Sequence, residues 1–224
     1  MPSEALRNLA IPLLAGLSPS EKADVLAQAR TVKVMPKTPV CTGGYEAEHL
    51  FVVASGRVKY SRLAVNGDEI VLRLFTPGET FGLATLLPDP PNYLGTAEAV
   101  LAGELLVWDH RQASQLSDRY PQIKTNGLLI ALQLLGTISD RHADLFEGKA
   151  NLRVARALID VGRRSGGLRP QGIDVQITNE QLGSLADVSR FTASRVLSSW
   201  SKAGVVTKER NVVHIHSPEG LLSC

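Results

Sequence analysis

The sequence predicts an α+β protein with an all-β N-terminal half, one long helix and a small C-terminal winged helix-turn-helix. From residue 31 to 109, short alternating apolar runs separated by turn residues indicate a sandwich or barrel. After residue 109 the apolar residues recur with the period of a helix. Residues 178–216 then combine two short helical patterns with a hairpin pattern, which is the arrangement of a winged helix-turn-helix.

The bulk composition is that of a globular protein outside the membrane. The 224 residues are enough for two modest domains, and 44% of them are hydrophobic against 21% charged. No apolar run reaches the roughly 18 residues of a spanning helix, and Pro12 interrupts the early apolar run, so a signal peptide is not expected. Cys41 and Cys224 cannot form a disulfide framework. We therefore expect a cytoplasmic protein with no membrane partner.

Charge is distributed unevenly along the chain. Residues 1–150 hold 14 Lys+Arg against 16 Asp+Glu, a net of −2, whereas residues 151–224 hold 10 against 6, a net of +4. A small basic domain joined to a slightly acidic one is typical of a nucleic-acid-binding protein.

The N-terminal half begins with a helix and continues as strands. Ser18, Pro19 and Glu21 form a capping-box signature that predicts a short helix to about residue 30. About eight short strands should follow, among them TVKVMP, HLFVVASGRVKYSRL, DEIVLRLF and GELLVWD. Turn residues separate them at Gly43-Gly44, Ser55-Gly56, Asn66-Gly67, Pro77-Gly78 and Pro88-Asp89-Pro90-Pro91. We expect a type I′ hairpin at Asn66-Gly67, since that turn needs a positive φ at both central positions.

The helix predicted between Pro121 and Lys149 carries two apolar faces. One is a heptad-like seam of Leu128, Ala131, Leu135, Ile138, His142 and Leu145. The other consists of Ile123, Ile130 and Leu134. Two faces need two partners, so we expect one to pack on the β domain and the other on a second copy, giving a homodimer. The alternative is burial of both faces within one monomer.

A further helix is predicted from Asn151 to Gly162, and residues 163–172 are predicted to form a loop. Thr178 and Gln181 then form a capping box that opens the first helix of the helix-turn-helix. Residues 187–189 break it, and Ser189 caps the second helix. The second helix has a predicted buried stripe of Ala193, Val196, Leu197 and Trp200.

The opposite face of this second helix has no acidic residue and carries Arg190, Phe191, Ser194 and Arg195. A helix that enters the major groove must not repel phosphate, and the planar fork of arginine matches O6 and N7 of guanine. This face therefore predicts contacts to DNA.

The segment GVVTKERNVVHIH predicts a wing, with its turn at residues 208–211. Lys208 and Arg210 are the basic residues with which the wing would approach a phosphate backbone. His214 and His216 alternate with apolar residues, so we expect them to face solvent and to bind no metal.

The segments GRVKYSR, PGETFG and VWD, the long helix, and ITNEQLGSLADVSRFTASRVLSSWSKAGVV together resemble the CRP/FNR family of bacterial transcription regulators. The resemblance implies a cyclic-nucleotide-binding-type β-roll, or jelly roll, over residues 1–115, a dimerisation helix over 116–148 and a winged helix-turn-helix over 149–224. It also implies a two-fold symmetric operator in double-stranded DNA, with RNA polymerase as a compatible further partner. The residues expected to contact DNA are Thr178, Ser189, Arg190, Phe191, Thr192, Ser194, Arg195, Lys208 and Arg210.

The chain departs from the cyclic-AMP-binding members of that family where the ligand is held. Those members have a glutamate directly after the glycine that is Gly82 here, and this chain has Leu83. Their phosphate-binding arginine-serine pair corresponds to Tyr93-Leu94, although a phosphate needs a cation or several N–H donors. We therefore do not expect cyclic AMP as the effector. The candidate pocket comprises Gly82, Leu83, Ala84, Tyr93, Leu94, Ile138 and Ser139.

Other cofactors of the family are constrained by residue type. Two cysteines cannot supply the four ligands of an iron–sulfur cluster. A haem remains open, because it needs an apolar pocket and one or two axial ligands, for which His49, His110, His142 and the N-terminal Pro2 are candidates. Each histidine also has an ordinary structural interpretation at a strand end or in the seam. The effector stays unidentified.

Two departures concern the helix-turn-helix itself. Asp187 occupies the turn position where the family usually has glycine, and aspartate tolerates the left-handed conformation better than most residues. Phe191 replaces a glutamate that accepts a hydrogen bond from cytosine N4 in well-known members, so it could contact a thymine methyl instead.

The function that the sequence predicts best is an allosteric, dimeric, DNA-binding transcription regulator. One alternative is a haem-dependent gas-sensing regulator, a second is a regulator whose DNA-binding geometry is constitutive, and a third is a ligand-binding regulatory subunit that does not bind DNA. An enzyme is not expected, because the sequence has no phosphate-binding glycine loop, no metal-spaced His/Cys cluster and no GxSxG motif.

Overall fold

A computed structural model of the chain describes residues 9–147, 149–164, 168–169 and 172–222. The chain divides into two compact units, Met1–Glu69 with Arg73–Gly136, and Ile70–Leu72 with Thr137–Cys224. The first contains a β-roll and the second a winged helix-turn-helix, so the predicted fold class is confirmed. The division falls within the long helix, and the domain borders inferred at residues 115/116 and 148/149 stay a prediction.

The first unit begins with a 3-10 turn at Pro12–Leu14 and helix α1 at Pro19–Ala27. The predicted capping box is present: the Ser18 hydroxyl accepts from the Glu21 N–H at 3.3 Å, and the Ser18 N–H donates to Glu21 Oε2 at 2.7 Å. The helix ends three residues before the expected position because strand β1 already begins at Arg30.

Six antiparallel strands form the sheet of the roll in the part of this unit that the structure describes. They are β1 Arg30–Val34, β2 Pro39–Cys41, β3 His49–Leu63, β4 Glu69–Phe75, β5 Thr80–Phe81 and β6 Thr96–Asp109. The order is β1-β6-β3-β4, with β2 paired to β6 and β5 to β3. Fewer strands than predicted are present because β3 and β6 are long and continuous.

The interpretation of Ser55-Gly56 as a turn between strands is wrong. The register between β3 and β6 shifts around Ser55, so these residues form an irregularity inside one strand. Gly56 has a φ of +82°, and a Cβ there would lie 2.7 Å from the carbonyl oxygen of Ala102. A glycine at this position therefore allows residues 101–103 of β6 to approach closely, and it does not end the strand.

The hairpin at Asn66-Gly67 is confirmed, but its predicted type I′ geometry is wrong. Gly67 has a φ of +86°, whereas Asn66 is not among the residues with positive φ. The Gly67 N–H donates to the Ala64 carbonyl at 2.9 Å, and the Ala64 N–H to the Asp68 carbonyl at 2.8 Å. This pattern is typical of a turn followed by one left-handed glycine, which joins β3 to β4.

Apolar clusters cover both faces of this sheet. On one face, Phe51, Phe81 and Phe75 stack in sequence with ring centroids 4.7 and 5.0 Å apart. On the other face lies a cluster to which the 3-10 turn, α1 and helix α2 at His110–Arg119 contribute. The continuous buried apolar run at residues 50–53 of β3 is thus explained by burial on two sides.

The long helix α3, Gln122–Glu147, was predicted almost to the residue. Within the first unit, Ile123 is buried and Ile130 packs against the helix-side cluster, which confirms the predicted β-facing stripe for those two residues. Asn126 is also buried, and its amide donates to the carbonyl oxygens of Leu13 and Ala15, both at 2.8 Å. These hydrogen bonds fix the N-terminal half of α3 to the first unit.

Over its described residues, the second unit contains four further helices and a four-stranded sheet in the order β7-β8-β10-β9. Its elements are α4 Ala150–Arg164, β7 Leu168–Arg169, β8 Gly172–Gln176, α5 Asn179–Leu185, α6 Arg190–Lys202, β9 Val206–Glu209, β10 Val212–Ile215 and α7 Pro218–Leu222. None of the helices described in either unit is long and apolar enough to cross a membrane.

The loop predicted for residues 163–172 is wrong in part. Arg163 and Arg164 continue α4, and residues 168–169 pair with β8 in register with Ile173 and Gly172. Residues 165–167 and 170–171 lie outside the described residues. Strand β8 itself was missed, although its apolar residues alternate, because the run is short and follows a glycine- and arginine-rich stretch.

Candidate nucleic-acid interface and effector pocket

Helix α6, the second helix of the helix-turn-helix, begins where the sequence predicted. The Ser189 hydroxyl accepts from the Thr192 N–H at 3.0 Å, so Ser189 is the N-cap. The four residues of the predicted stripe are all buried: Ala193, Val196, Leu197 and Trp200. This burial fixes which face of α6 is turned to solvent.

The solvent face of α6 carries cations and an exposed aromatic ring. Arg190 and Arg195 are exposed, and Phe191 is 71% exposed. The guanidinium carbon of Arg190 lies 4.9 Å from the centroid of the Phe191 ring, which is cation–π geometry. No acid interrupts the helix between Arg190 and Lys202, so the face is suited to a polyanion.

The smaller polar residues of the predicted interface surround the two helix starts. Thr178 caps α5, with its hydroxyl accepting from the Gln181 N–H at 3.1 Å. Thr192 and Ser194 are half-buried on α6, and the Thr192 hydroxyl lies 3.0 Å from that of Ser189. The hydroxyls of Thr178, Ser189 and Thr192 are therefore ordered at the helix starts before any ligand arrives.

The wing is present, with a tighter turn than expected. Val212 pairs directly with Glu209, so only Arg210 and Asn211 remain in the turn, and Asn211 has a φ of +61°. Lys208, predicted to be in the turn, lies in β9. Lys208 and Arg210 are both exposed.

The expectation that both wing histidines face solvent is wrong for His214. His214 is half-buried, and its Nδ1 lies 2.5 Å from Asp174 Oδ1 on the neighbouring strand. The rings of His214 and His216 meet edge to face at 4.7 Å, and His216 Nε2 lies 2.9 Å from the Thr207 hydroxyl. The described residues contain no cluster of three or more His, Cys, Asp or Glu side chains that could hold a metal ion.

Two of the predicted effector-pocket residues, Gly82 and Tyr93, lie next to the backbone of His49. Gly82 has a φ of +76° and starts a 3-10 turn at Leu83–Leu86; a Cβ on it would lie 2.4 Å from the His49 carbonyl oxygen. The Tyr93 hydroxyl donates to that same oxygen at 3.0 Å and accepts from the His49 N–H at 2.8 Å. Burial, the largest cause, raises the pKa of Tyr93 to about 12.

The other pocket residues do not supply ligand-binding chemistry. Leu83 packs against the helix-side cluster and Ala84 against the cluster on the other face, while Leu94 is 77% exposed. Ile138 and Ser139 are exposed residues of α3 in the second unit, and their place in a pocket stays a prediction. The residues at the family's phosphate position, Tyr93 and Leu94, provide no cation.

The described part of the roll contains a cleft of about 370 Å³ that sequence reasoning missed. Its lining residues are Val40, Cys41, Thr42, Tyr45, Glu46, Glu48, His49 and Tyr93. Burial raises the pKa of the Cys41 thiol to about 11, so it is not a reactive thiolate at neutral pH. Two carboxylates with no lysine or arginine make the cleft a poor site for a cyclic phosphate.

A charged pair on the roll was also missed. The Arg73 guanidinium binds the Glu79 carboxylate and lies 5.5 Å from the centroid of the Phe75 ring. Glu79 additionally accepts from the N–H and the hydroxyl of Thr76. Because Glu79 neutralises Arg73, this arginine does not replace the missing phosphate-binding cation.

Of the haem candidates, Pro2 lies outside the described residues, and the structure shows where the three histidines lie. His110 Nδ1 hydrogen-bonds to the carbonyl oxygen of Thr85 at 3.0 Å. His49 begins β3, as predicted, and lines the cleft. His142 is exposed on the part of α3 that belongs to the second unit. A haem therefore stays an alternative that no specific geometry favours.

The seam predicted on α3 is exposed in the single chain. Leu128 is 62%, Leu135 58% and Ile138 43% exposed. Ala131 and His142 are exposed as well, and the side chain of Leu145 lies outside the described residues. The heptad pattern missed Leu129 and Leu132, which are 51% and 53% exposed. The described seam residues are thus open to a partner, and their burial against a second copy stays a prediction.

Each half of the chain matches the family model of a known domain. A family model for the cyclic nucleotide-binding domain matches residues 31–120, and one for the Crp-like helix-turn-helix domain matches residues 152–224. A relative named cyclic AMP receptor protein, from Thermus thermophilus, is 36% identical over 203 residues, covering 87% of this chain and 88% of its own. A CRP-like cAMP-activated global transcriptional regulator of Mycobacterium tuberculosis is 26% identical over 209 residues, 92% of each chain.

A solved structure supports the same fold. FixK2 from Bradyrhizobium japonicum aligns with a TM-score of 0.76 and 19% identity, over 87% of this chain and 96% of its own. The two matched models cover the β-roll and the winged helix-turn-helix in the order that the sequence predicted. The chain therefore belongs to the CRP/FNR family of transcription regulators.

Proposed function

We propose that the protein is a homodimeric transcription regulator that binds double-stranded DNA at a two-fold symmetric operator. The observation that carries this proposal is the acid-free solvent face of α6, on which Arg190 and Arg195 are exposed beside Phe191. Such a face offers donors to guanine and repels no phosphate. RNA polymerase is a further partner compatible with this role, in the cytoplasm.

The dimer would form through the exposed seam of α3. A contiguous row of exposed leucines is unfavourable in water and is typical of an interface. A parallel arrangement about a two-fold axis would present two copies of α6 to two half-sites. Since α3 runs through both compact units, it is also the element through which an effector could bias DNA binding.

We propose that the effector is a small molecule other than cyclic AMP. The relative from Thermus thermophilus bears that ligand in its name, but here the residues at the expected phosphate position are Tyr93 and Leu94. A large excess of cyclic AMP should therefore leave the operator affinity unchanged within about twofold, measured by fluorescence anisotropy. An increase of tenfold or more would contradict this prediction.

The decisive experiment is selection of binding sites from random double-stranded DNA with the purified full-length protein, with and without extract of the source cells. We expect enrichment of a two-fold symmetric sequence whose affinity falls steeply with salt, because phosphate neutralisation releases counterions. The double variant Arg190→Ala/Arg195→Ala is the control and should enrich no site. Failure of the wild type to enrich any sequence would favour a regulatory subunit that does not bind DNA.

The exposed aromatic residue of α6, Phe191, should determine part of the operator sequence. A phenylalanine cannot accept a hydrogen bond from cytosine N4 and can contact a thymine methyl, so Phe191→Glu should shift one base-pair preference per half-site towards C·G. The expected discrimination is about 1–3 kcal/mol at that position. Selection with the variant measures it, and Ser198→Glu, an exposed position outside the predicted contacts, serves as the charge-matched control. Identical selected sequences for wild type and Phe191→Glu would disprove the assignment.

A further inference from the structure

The turn between α5 and α6 contains an aspartate in a conformation that favours glycine. Asp187 has a φ of +51°, in the left-handed region. The Val188 N–H donates to the Gly183 carbonyl at 2.9 Å, which closes the turn. An aspartate at this position carries some backbone strain that glycine would avoid. A compensating contact of its carboxylate would offset that strain.

Arg141, on the part of α3 that belongs to the second unit, reaches this turn. Its Nη2 donates to the carbonyl oxygen of Ser184 at 3.1 Å and lies 3.4 Å from each carboxylate oxygen of Asp187. The two side chains are only 22% and 31% exposed, so water screens the ion pair incompletely. One arginine thus binds both the end of α5 and the residue that turns the chain.

A second arginine holds the same turn from α4. The Arg153 Nε donates to the carbonyl oxygen of Ala186 at 3.1 Å, and its Nη2 lies 3.5 Å from that of Asp187. Carbonyl groups at a helix end lack intrahelical partners, so these bonds satisfy the C-terminus of α5 with charged donors. Cations from two helices outside the helix-turn-helix therefore converge on residues 184–187.

We propose that Asp187 and Arg141 form a positioning pair that fixes the recognition helix α6 relative to the long helix α3. Arg141 lies three residues after Ile138 on α3, so the pair joins the seam helix directly to the residue that sets the direction of α6. The aspartate replaces the usual glycine because its carboxylate gives Arg141 a charged acceptor. The effect of the pair on operator binding rests on the proposed function, whereas the contact between Arg141 and Asp187 does not depend on it.

The pair is tested with full-length Arg141→Gln, Asp187→Asn and the double variant. Asparagine tolerates the left-handed conformation, so Asp187→Asn removes the charge without adding backbone strain. Each single variant should increase amide hydrogen exchange at residues 184–190 about three- to tenfold and weaken operator binding by a similar factor. The double variant should be no worse than Arg141→Gln alone, because that substitution already removes the ion pair with Asp187, together with the arginine's bonds to the carbonyl oxygens of Ser184 and Leu72.

Arg163→Gln, an exposed arginine of α4, is the matched control and should change neither measurement. Additive effects of the two substitutions, or unchanged exchange at residues 184–190, would overturn the proposed pair. The exchange measurement needs no DNA. If the wild type bound no operator, the proposed function would fail, while the exchange data would still decide whether the pair exists.

Discussion

Replacing Leu135 by aspartate is expected to convert the proposed dimer into monomers and to abolish operator binding at concentrations where the wild type is saturated. Leu135 is 58% exposed at the centre of the leucine row on α3. Burial of a leucine contributes about 1.5–3 kcal/mol, and a two-fold interface contains each residue twice. Loss of both leucines therefore costs about 3–6 kcal/mol, a factor on the order of 10² to 10⁴ in the dissociation constant.

The carboxylates of Leu135→Asp add to this effect, because each would meet its symmetry copy in a desolvated seam. Molar mass from sedimentation equilibrium at micromolar protein, together with anisotropy on the selected operator, measures both consequences. Leu222→Asp is the matched control, since that leucine is 51% exposed on α7 and does not belong to the seam. A dimeric Leu135→Asp protein at micromolar concentration would show that α3 is not the interface.

Features with a local physical cause were predictable from the sequence. The caps at Ser18, Thr178 and Ser189 depend on side chains within three residues of the backbone that they bind, and all three are present. The buried stripe of α6 follows from helical periodicity alone. The exposed seam of α3 was likewise readable, although its extension to Leu129 and Leu132 was not, since a strict heptad selects fewer positions than a real interface.

Features that depend on contacts between distant segments were not predictable. The irregularity at Gly56 exists because residues 101–103 of β6 approach it, and the His214–Asp174 contact joins positions 40 residues apart. Asp187 was identified as a tolerated substitute for glycine, but its partner Arg141 lies 46 residues away on another helix. The acidic cleft of the roll was missed for the same reason, because Tyr93 lines it together with residues 40–49 although it lies 44 residues beyond His49 in the sequence.

Arg195→Ala and Lys208→Ala should distinguish base recognition from phosphate contact on the same protein. Arg195 is exposed on α6, where a guanidinium can make a bidentate contact to guanine, whereas Lys208 is exposed on strand β9 of the wing. Loss of the arginine should cost about 1–3 kcal/mol in each half-site, hence about 2–6 kcal/mol for the dimer, and relax one base-pair preference per half-site. Loss of the lysine should weaken all sequences about equally.

Anisotropy against the operator and its single-base variants, at several salt concentrations, separates the two effects. Lys208→Ala should reduce the slope of log affinity against log salt by about 2 for a dimer, because two phosphate contacts disappear. Arg195→Ala should change that slope much less than it changes discrimination among bases. A different result, in which Arg195→Ala weakens every sequence equally and Lys208→Ala alters base preference, would assign base reading to the wing and phosphate binding to α6. The acid-free face of α6 would then be a docking surface rather than the element that reads the operator.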